Sequence, residues 1–254
     1  RVLAAYGQFS KTAHNQLTLF FQHSDKALLS EVFVRTDLAL SQVTPEDDAA
    51  PPTLPLRDLL ALPLRQGGEA HRFLVIGEPG AGKTTIARHL VYEQACSNWP
   101  AFVVVFASLP RLLHDKRHPF DLAADSARAV VGPVDTEGLS PTLFHCARQP
   151  GRVVLLLDGL DEVSLADANE ARQVIAGYAA ELPTVQIIVF SRPISHTNLD
   201  RTYVRATLLR LPPESQQRLL GNWLGQEHGI RLWRRLRDLP GLHDLLGNPL
   251  ILTV

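Results

Sequence analysis

One short stretch limits what this chain can fold into more than any other. Arg72-Phe-Leu-Val-Ile76 is a compact apolar run that passes without a break into Gly77-Glu78-Pro79-Gly80-Ala81-Gly82-Lys83-Thr84, followed by Thr85. The loop fits G-x-x-x-x-G-K-[ST] and sits between a buried strand and a helix, the context that gives this pattern its meaning. The helix runs from Lys83 to about Ala95, with Ile86, Ala87, Leu90 and Val91 on one face. Glycines suit such a loop because the backbone must curl with its N–H groups pointing inward, where side chains would block an anion. Lys83 brings a positive charge to the β- and γ-phosphates of a nucleotide, and Thr84 offers a hydroxyl to magnesium. The helix that follows presents its N-terminal dipole to the phosphate charge.

The pattern continues to alternate. A β-rich run spans Ala101 to Leu109, and a Pro-punctuated helical stretch fills 120–149. Val153-Val-Leu-Leu-Leu157 and Val185-Gln-Ile-Ile-Val-Phe190 are further apolar strands, separated by a helix near Ala166–Glu181, and a final strand spans Tyr203–Leu209. Apolar runs without alternation imply strands covered on both faces, as in a parallel sheet between helices. The expected fold is therefore a three-layer α/β P-loop domain with a parallel sheet.

Ahead of it, residues 1–43 mix a helical pattern (Leu17, Phe20, Phe21, Leu28, Leu29) with an extended run, Val32 to Leu38. Thr44 to Pro55 is acidic and Pro-rich and reads as a linker, followed by a short helix near Leu56–Leu62. Beyond Leu211-Pro-Pro the chain reads as all-helical, with Trp223, Leu224, Leu232, Trp233, Leu236 and Leu239 as its apolar stripe. The expected organisation is an N-terminal segment and linker over 1–53, the nucleotide core over 54–211, and the start of a helical subdomain over 212–254. Arg1 at the start and the apolar Ile251 to Val254 at the end are expected of a segment of a longer protein.

Composition narrows the function classes. A net charge of −1 gives no basic surface for nucleic acid or anionic membrane. The two cysteines, Cys96 and Cys146, lack metal-ligand spacing and suit a reducing, cytoplasmic setting. No apolar run reaches the roughly 20 residues of a membrane span. The ten histidines show no ligand spacing, and Trp99, Trp223 and Trp233 read as core anchors. Only four of the 25 basic residues are Lys, which with the abundant Ala, Leu and Pro suggests a GC-rich, bacterial source.

Asp158 ends the apolar run from Val153, and Gly159-Leu-Asp161-Glu162 follows. Such a strand is expected beside the P-loop strand, where Asp158 orients the magnesium shell together with Thr84. Asp161 or Glu162 then polarises the attacking water. The alternative is an ordinary solvated acidic loop.

GEPGAGKTT and LLLDGLDE together resemble the Walker A and Walker B segments of NACHT domains, the nucleotide-binding modules of STAND-class signalling proteins such as NLR immune receptors. The resemblance covers residues 30–254. Ile187-Ile-Val-Phe-Ser-Arg192 is similar to the sensor segment of that family, where an Arg reaches the γ-phosphate, a task that suits a planar guanidinium. The alternative is a surface Arg capping a strand. Gly247-Asn-Pro249-Leu resembles the segment whose Pro packs against the adenine. The resemblance implies an ATP/ADP switch that uses Mg2+, answers an unknown trigger and self-assembles into a homo-oligomer when activated. Two other classes compete with it: an AAA+-like ATPase with constitutive turnover, and a binding module that holds nucleotide as a structural ligand.

Overall fold

The computed structural model describes residues 1–18, 26–40, 52–60, 69–97, 102–193 and 199–253. Phe20, Phe21, Trp99, His23, His196 and most of the linker lie outside these residues.

The chain opens with helix α1 (Val2–His14), a two-stranded hairpin of β1 (Gln16–Thr18) and β2 (Lys26–Leu28), and one turn of helix, α2 (Leu29–Val32). Strands β3 (Asp37–Leu40) and β4 (Thr53–Pro55) and helix α3 (Leu56–Leu60) lead to the phosphate-loop strand, β5 (Arg72–Ile76), and its helix, α4 (Lys83–Cys96). Then come β6 (Val103–Ser108), α5 (Leu109–Asp115), α6 (Pro119–Val131), α7 (Pro133–Thr136) and α8 (Leu139–Ala147). Strand β7 (Val153–Asp158) runs into a 3-10 turn at Leu160–Glu162, and α9 (Ala168–Glu181), β8 (Gln186–Ser191) and β9 (Val204–Leu208) complete the α/β part. Four helices follow in the described residues: α10 (Pro213–Leu224), α11 (Gln226–Arg237), α12 (His243–Leu246) and α13 (Pro249–Thr253).

One seven-stranded sheet, ordered β4-β3-β9-β5-β8-β7-β6, organises the fold. From β9 to β6 the strands are parallel, while β3 and β4 add an antiparallel edge. Every residue of β7 and β8 is buried, as their unbroken apolar runs require. Side chains alternate between two cores. Leu74, Val105, Leu155 and Ile187 face the layer of α6, α8 and α9, whereas Phe73, Val104, Leu156 and Ile188 face α4 and α3.

Four sequence expectations change. The acidic strand β7 is not the neighbour of β5, because β8 lies between them. Strand order is a tertiary choice that motif spacing does not encode, and the result puts the end of β8 between the phosphate loop and Asp158. The N-terminal helix is Val2–His14, and Leu17 belongs to a strand instead. Tyr6 and Phe9 of this helix join the core, and the Tyr6 hydroxyl donates to the Val104 carbonyl at 3.2 Å. By packing there α1 covers the β6 edge of the sheet, a place otherwise open to pairing. The run from Val32 is extended in part only: α2 ends at Val32, and strand pairing starts at Asp37.

The last correction concerns the helical stripe. Val34, Leu211, Leu219, Leu220, Leu246 and Leu252 form the small core there, with Trp223, Trp233 and Leu236 against it, while Leu224, Leu232 and Leu239 stay exposed. Helices α10 and α11 meet backbone to backbone, which narrows the face that can be buried. A Cβ on Gly229 would stand 2.5 Å from the backbone of Leu220. Among the described residues no helix is long and apolar enough to cross a membrane.

Candidate nucleotide site

In an open parallel sheet, ligands gather outside the carboxyl ends of the strands, and here β5, β7 and β8 end around one cavity of about 350 Å³. That volume falls in the range of small-molecule sites, about 300–1,000 Å³. Gly80, Ala81, Gly82, Lys83, Thr84 and Thr85 line one wall. Asp158, Asp161, Glu162 and Arg192 line the polar end, and Pro249 lies on the side of the helical unit. Gly77, Glu78 and Pro79 form the outer arm of the loop and do not line the cavity.

Gly82 adopts φ 88° as it caps α4, and no side chain caps that helix. The first-turn N–H groups of Lys83, Thr84 and Thr85 therefore have no intrahelical partner, which makes the turn receptive to an anion. The Lys83 ammonium folds back over the loop and donates to the carbonyls of Gly77 at 2.7 Å and Glu78 at 3.1 Å. Its burial lowers the Lys83 pKa, opposed by the charges of Asp161, Asp158 and Glu162.

Thr84 Oγ1 donates to Asp158 Oδ2 at 2.6 Å, although a strand separates their elements. A hydroxyl and a carboxylate held this close fit a hard cation that keeps most of its ligands from water and phosphate, the habit of Mg2+. Burial raises the Asp158 pKa, and the nearby Glu162 and Asp161 add to the rise, while the Thr84 hydrogen bond and Lys83 oppose it. A carboxyl with a folded pKa above its unfolded value holds its proton over a pH window in which the unfolded chain has lost it. Stability therefore falls as pH rises through that window. Asp158→Asn keeps an acceptor for Thr84 and removes the buried charge. The nucleotide-free variant is expected to melt above the parent at pH 7 and to lose this pH dependence. A lower melting temperature would show that Lys83 and Thr84 already compensate the charge.

The two remaining carboxylates separate by environment. Asp161, with a side chain 5% exposed, receives Arg192 twice: Nε stands 2.8 Å from Oδ2, and the Arg192 backbone N–H donates to Oδ1 at 3.1 Å. Glu162, one residue on, is exposed at the cavity. The pair is thus divided between holding Arg192 and facing the cavity, a division that sequence reading left open.

Several lining residues read in the sequence as core or extended-segment positions rather than as site residues. Leu29, Val32, Phe33 and Val34 reach the cavity from the N-terminal segment, Leu211 from the end of the core, and Leu219 and Trp223 from the helical unit. They make its apolar half, of the kind that suits a planar base. Their only sequence signal is apolar periodicity, which reads equally as core. Asn248, beside the cavity rather than in its lining, carries a clearer signal, since it precedes a Pro at a helix start, and its Oδ1 accepts the Leu250 N–H at 3.0 Å as a cap.

A P-loop at the strand–helix junction, a carboxylate against its Thr and a half-apolar cavity define a nucleotide-binding NTPase site. The NACHT domain model matches residues 71–227, and the chain belongs to that family. Human nucleotide-binding oligomerization domain-containing protein 2 is 27% identical across 79% of this chain, and its chimpanzee (Pan troglodytes) counterpart gives the same figures. The chain spans about a fifth of the length of these relatives, 21%. Among solved structures, domain III of the Thermotoga maritima replication initiation protein DnaA is 16% identical with a TM-score of 0.42, covering 75% of this chain and 77% of that one. Cdc6p from Pyrobaculum aerophilum is 14% identical with a TM-score of 0.44, covering 85% and 64%.

Proposed function

We propose that the chain is an ATP-binding and ATP-hydrolysing switch that works with Mg2+ and controls self-assembly of a signalling or defence protein. The observation that carries this reading is Arg192, held by Asp161 at the polar end of the cavity beside Lys83. A guanidinium there meets a γ-phosphate and finds nothing to grip in ADP, and only such differential contact shifts a two-state equilibrium. Lys83 and the N–H groups of the loop hold the phosphates, Thr84 and Asp158 hold the metal, and Glu162 receives the proton of the attacking water. Bound magnesium would supply charge neutralisation at the phosphate oxygens. Pro249 and the apolar wall hold the base in either nucleotide state. In this reading residues 54–211 are the core and 212–254 the helical unit that responds. The name of the relatives joins nucleotide binding to oligomerization, which supports an assembling role.

Arg192→Ala is expected to weaken ATP binding about tenfold while leaving ADP unchanged, the factor of one charge-assisted hydrogen bond. Calorimetric titration of both nucleotides reads this directly. An unchanged ratio of the two affinities removes the sensor role.

A further inference from the structure

The phosphate loop is gripped from outside at its Glu78–Gly80 arm, by the start of α13 and by Arg210 at the end of the core. Asn248 Nδ2 donates to the Pro79 carbonyl at 2.8 Å, and the Leu250 N–H donates to the Gly80 carbonyl at 3.3 Å. Arg210 Nη2 reaches both carboxylate oxygens of Glu78, at 3.1 and 3.0 Å. The Leu211 N–H donates to the Gly247 carbonyl at 2.8 Å, so the segments carrying Arg210 and Asn248 are themselves joined.

Gly80 shows how close the grip is. It adopts φ 75°, and a Cβ there would stand 2.8 Å from both Asn248 Oδ1 and Leu250 Cβ. The phosphate-loop pattern asks for glycine at Gly77 and Gly82 but leaves position 80 open. The glycine at 80 is thus required twice, by its left-handed backbone and by the segment pressed against it.

We propose that Asn248 and Arg210 are positioning residues that latch α13 onto the phosphate loop, so that helical docking and nucleotide affinity are coupled. Without nucleotide, Lys83 also steadies the arm through the Glu78 carbonyl. Phosphates compete for that ammonium, which leaves the loaded loop more dependent on the latch. Asn248 is the stronger member, because Arg210 and Glu78 are both about half exposed, and exposed ion pairs contribute little.

The latch rests on the nucleotide reading for its coupling but not for its existence, so the test has two readouts in the intact chain. One is hydrogen–deuterium exchange of residues 249–253 without nucleotide; the other is ADP affinity, with the protection that ADP gives the same residues. Asn248→Asp keeps an oxygen to cap Leu250, loses the donor to Pro79 and adds a negative charge, for which the charge-neutral exchange of Arg210 and Glu78 is the control. It is expected to speed exchange on the order of fivefold, the factor carried by one hydrogen bond, to weaken ADP similarly and to lose the ADP-linked protection. Arg210→Glu should act in the same direction, and adding Glu78→Arg should restore slow exchange. If Asn248→Asp matches the parent in both readouts, and the reversed pair is no better than Arg210→Glu alone, the latch is overturned. If exchange changes while ADP affinity holds, the coupling is overturned and a purely structural contact remains. Failure of the nucleotide reading would look different: ADP would not bind the parent chain.

Discussion

Lys83→Ala is expected to weaken ATP binding about 100-fold and to leave the fold intact. The ammonium is half-buried, with its burial already lowering the pKa, so it is held at a cost that a phosphate partner would relieve. Its present partners are two backbone carbonyls of its own loop, which a phosphate can replace without moving the helix that carries it. Charge-assisted hydrogen bonds contribute about 1.5–3 kcal/mol each, and a residue that reaches two phosphates stands at the top of that range. Calorimetry with Mg2+ present measures the loss, and a melting curve checks the fold. Parent-like affinity would remove the phosphate-loop assignment.

Glu162→Gln is expected to slow hydrolysis about 100-fold while changing ATP affinity less than twofold, the signature of a lost general base. The choice of Glu162 over Asp161 follows from their partners. Both oxygens of Asp161 are engaged by Arg192, whereas Glu162 is exposed at the cavity. Asp161→Asn should act differently, because it weakens the hold on Arg192 and so disturbs ATP affinity itself. Single-turnover measurements separate the two variants, and parent-like turnover in Glu162→Gln would leave its carboxylate a solvated surface group.

The central α/β elements were legible because buried strands and amphipathic helices write their periods into the sequence. The apolar runs Val153–Leu157 and Val185–Phe190 predicted strands buried on both faces, and the strands observed are Val153–Asp158 and Gln186–Ser191. Helix α1 carried a readable signal at Val2, Tyr6, Phe9 and Ala13, obscured by the apolar residues that follow it. What remained hidden depends on which distant segments meet. No local pattern puts β8 between β5 and β7, and yet that insertion brings Arg192 to Asp161. The Asn248–Pro79 bond joins residues 169 positions apart. A single polar side chain near a helix start reads as an ordinary cap until the loop is seen beneath it. The exposure of Leu224 and Leu232 was hidden for a related reason, since the close crossing of α10 and α11 at Gly229 narrows the face that can be buried.

If Glu162→Gln binds ATP without consuming it, the switch can be observed in each nucleotide state with one protein. Hydrogen–deuterium exchange of residues 213–253 is then compared between saturating Mg–ATP and saturating Mg–ADP. Exchange in the helical unit is expected to be faster with ATP than with ADP, and the difference to vanish when Arg192→Ala is added. The same exchange pattern with both nucleotides would contradict a switch and leave a site that only binds.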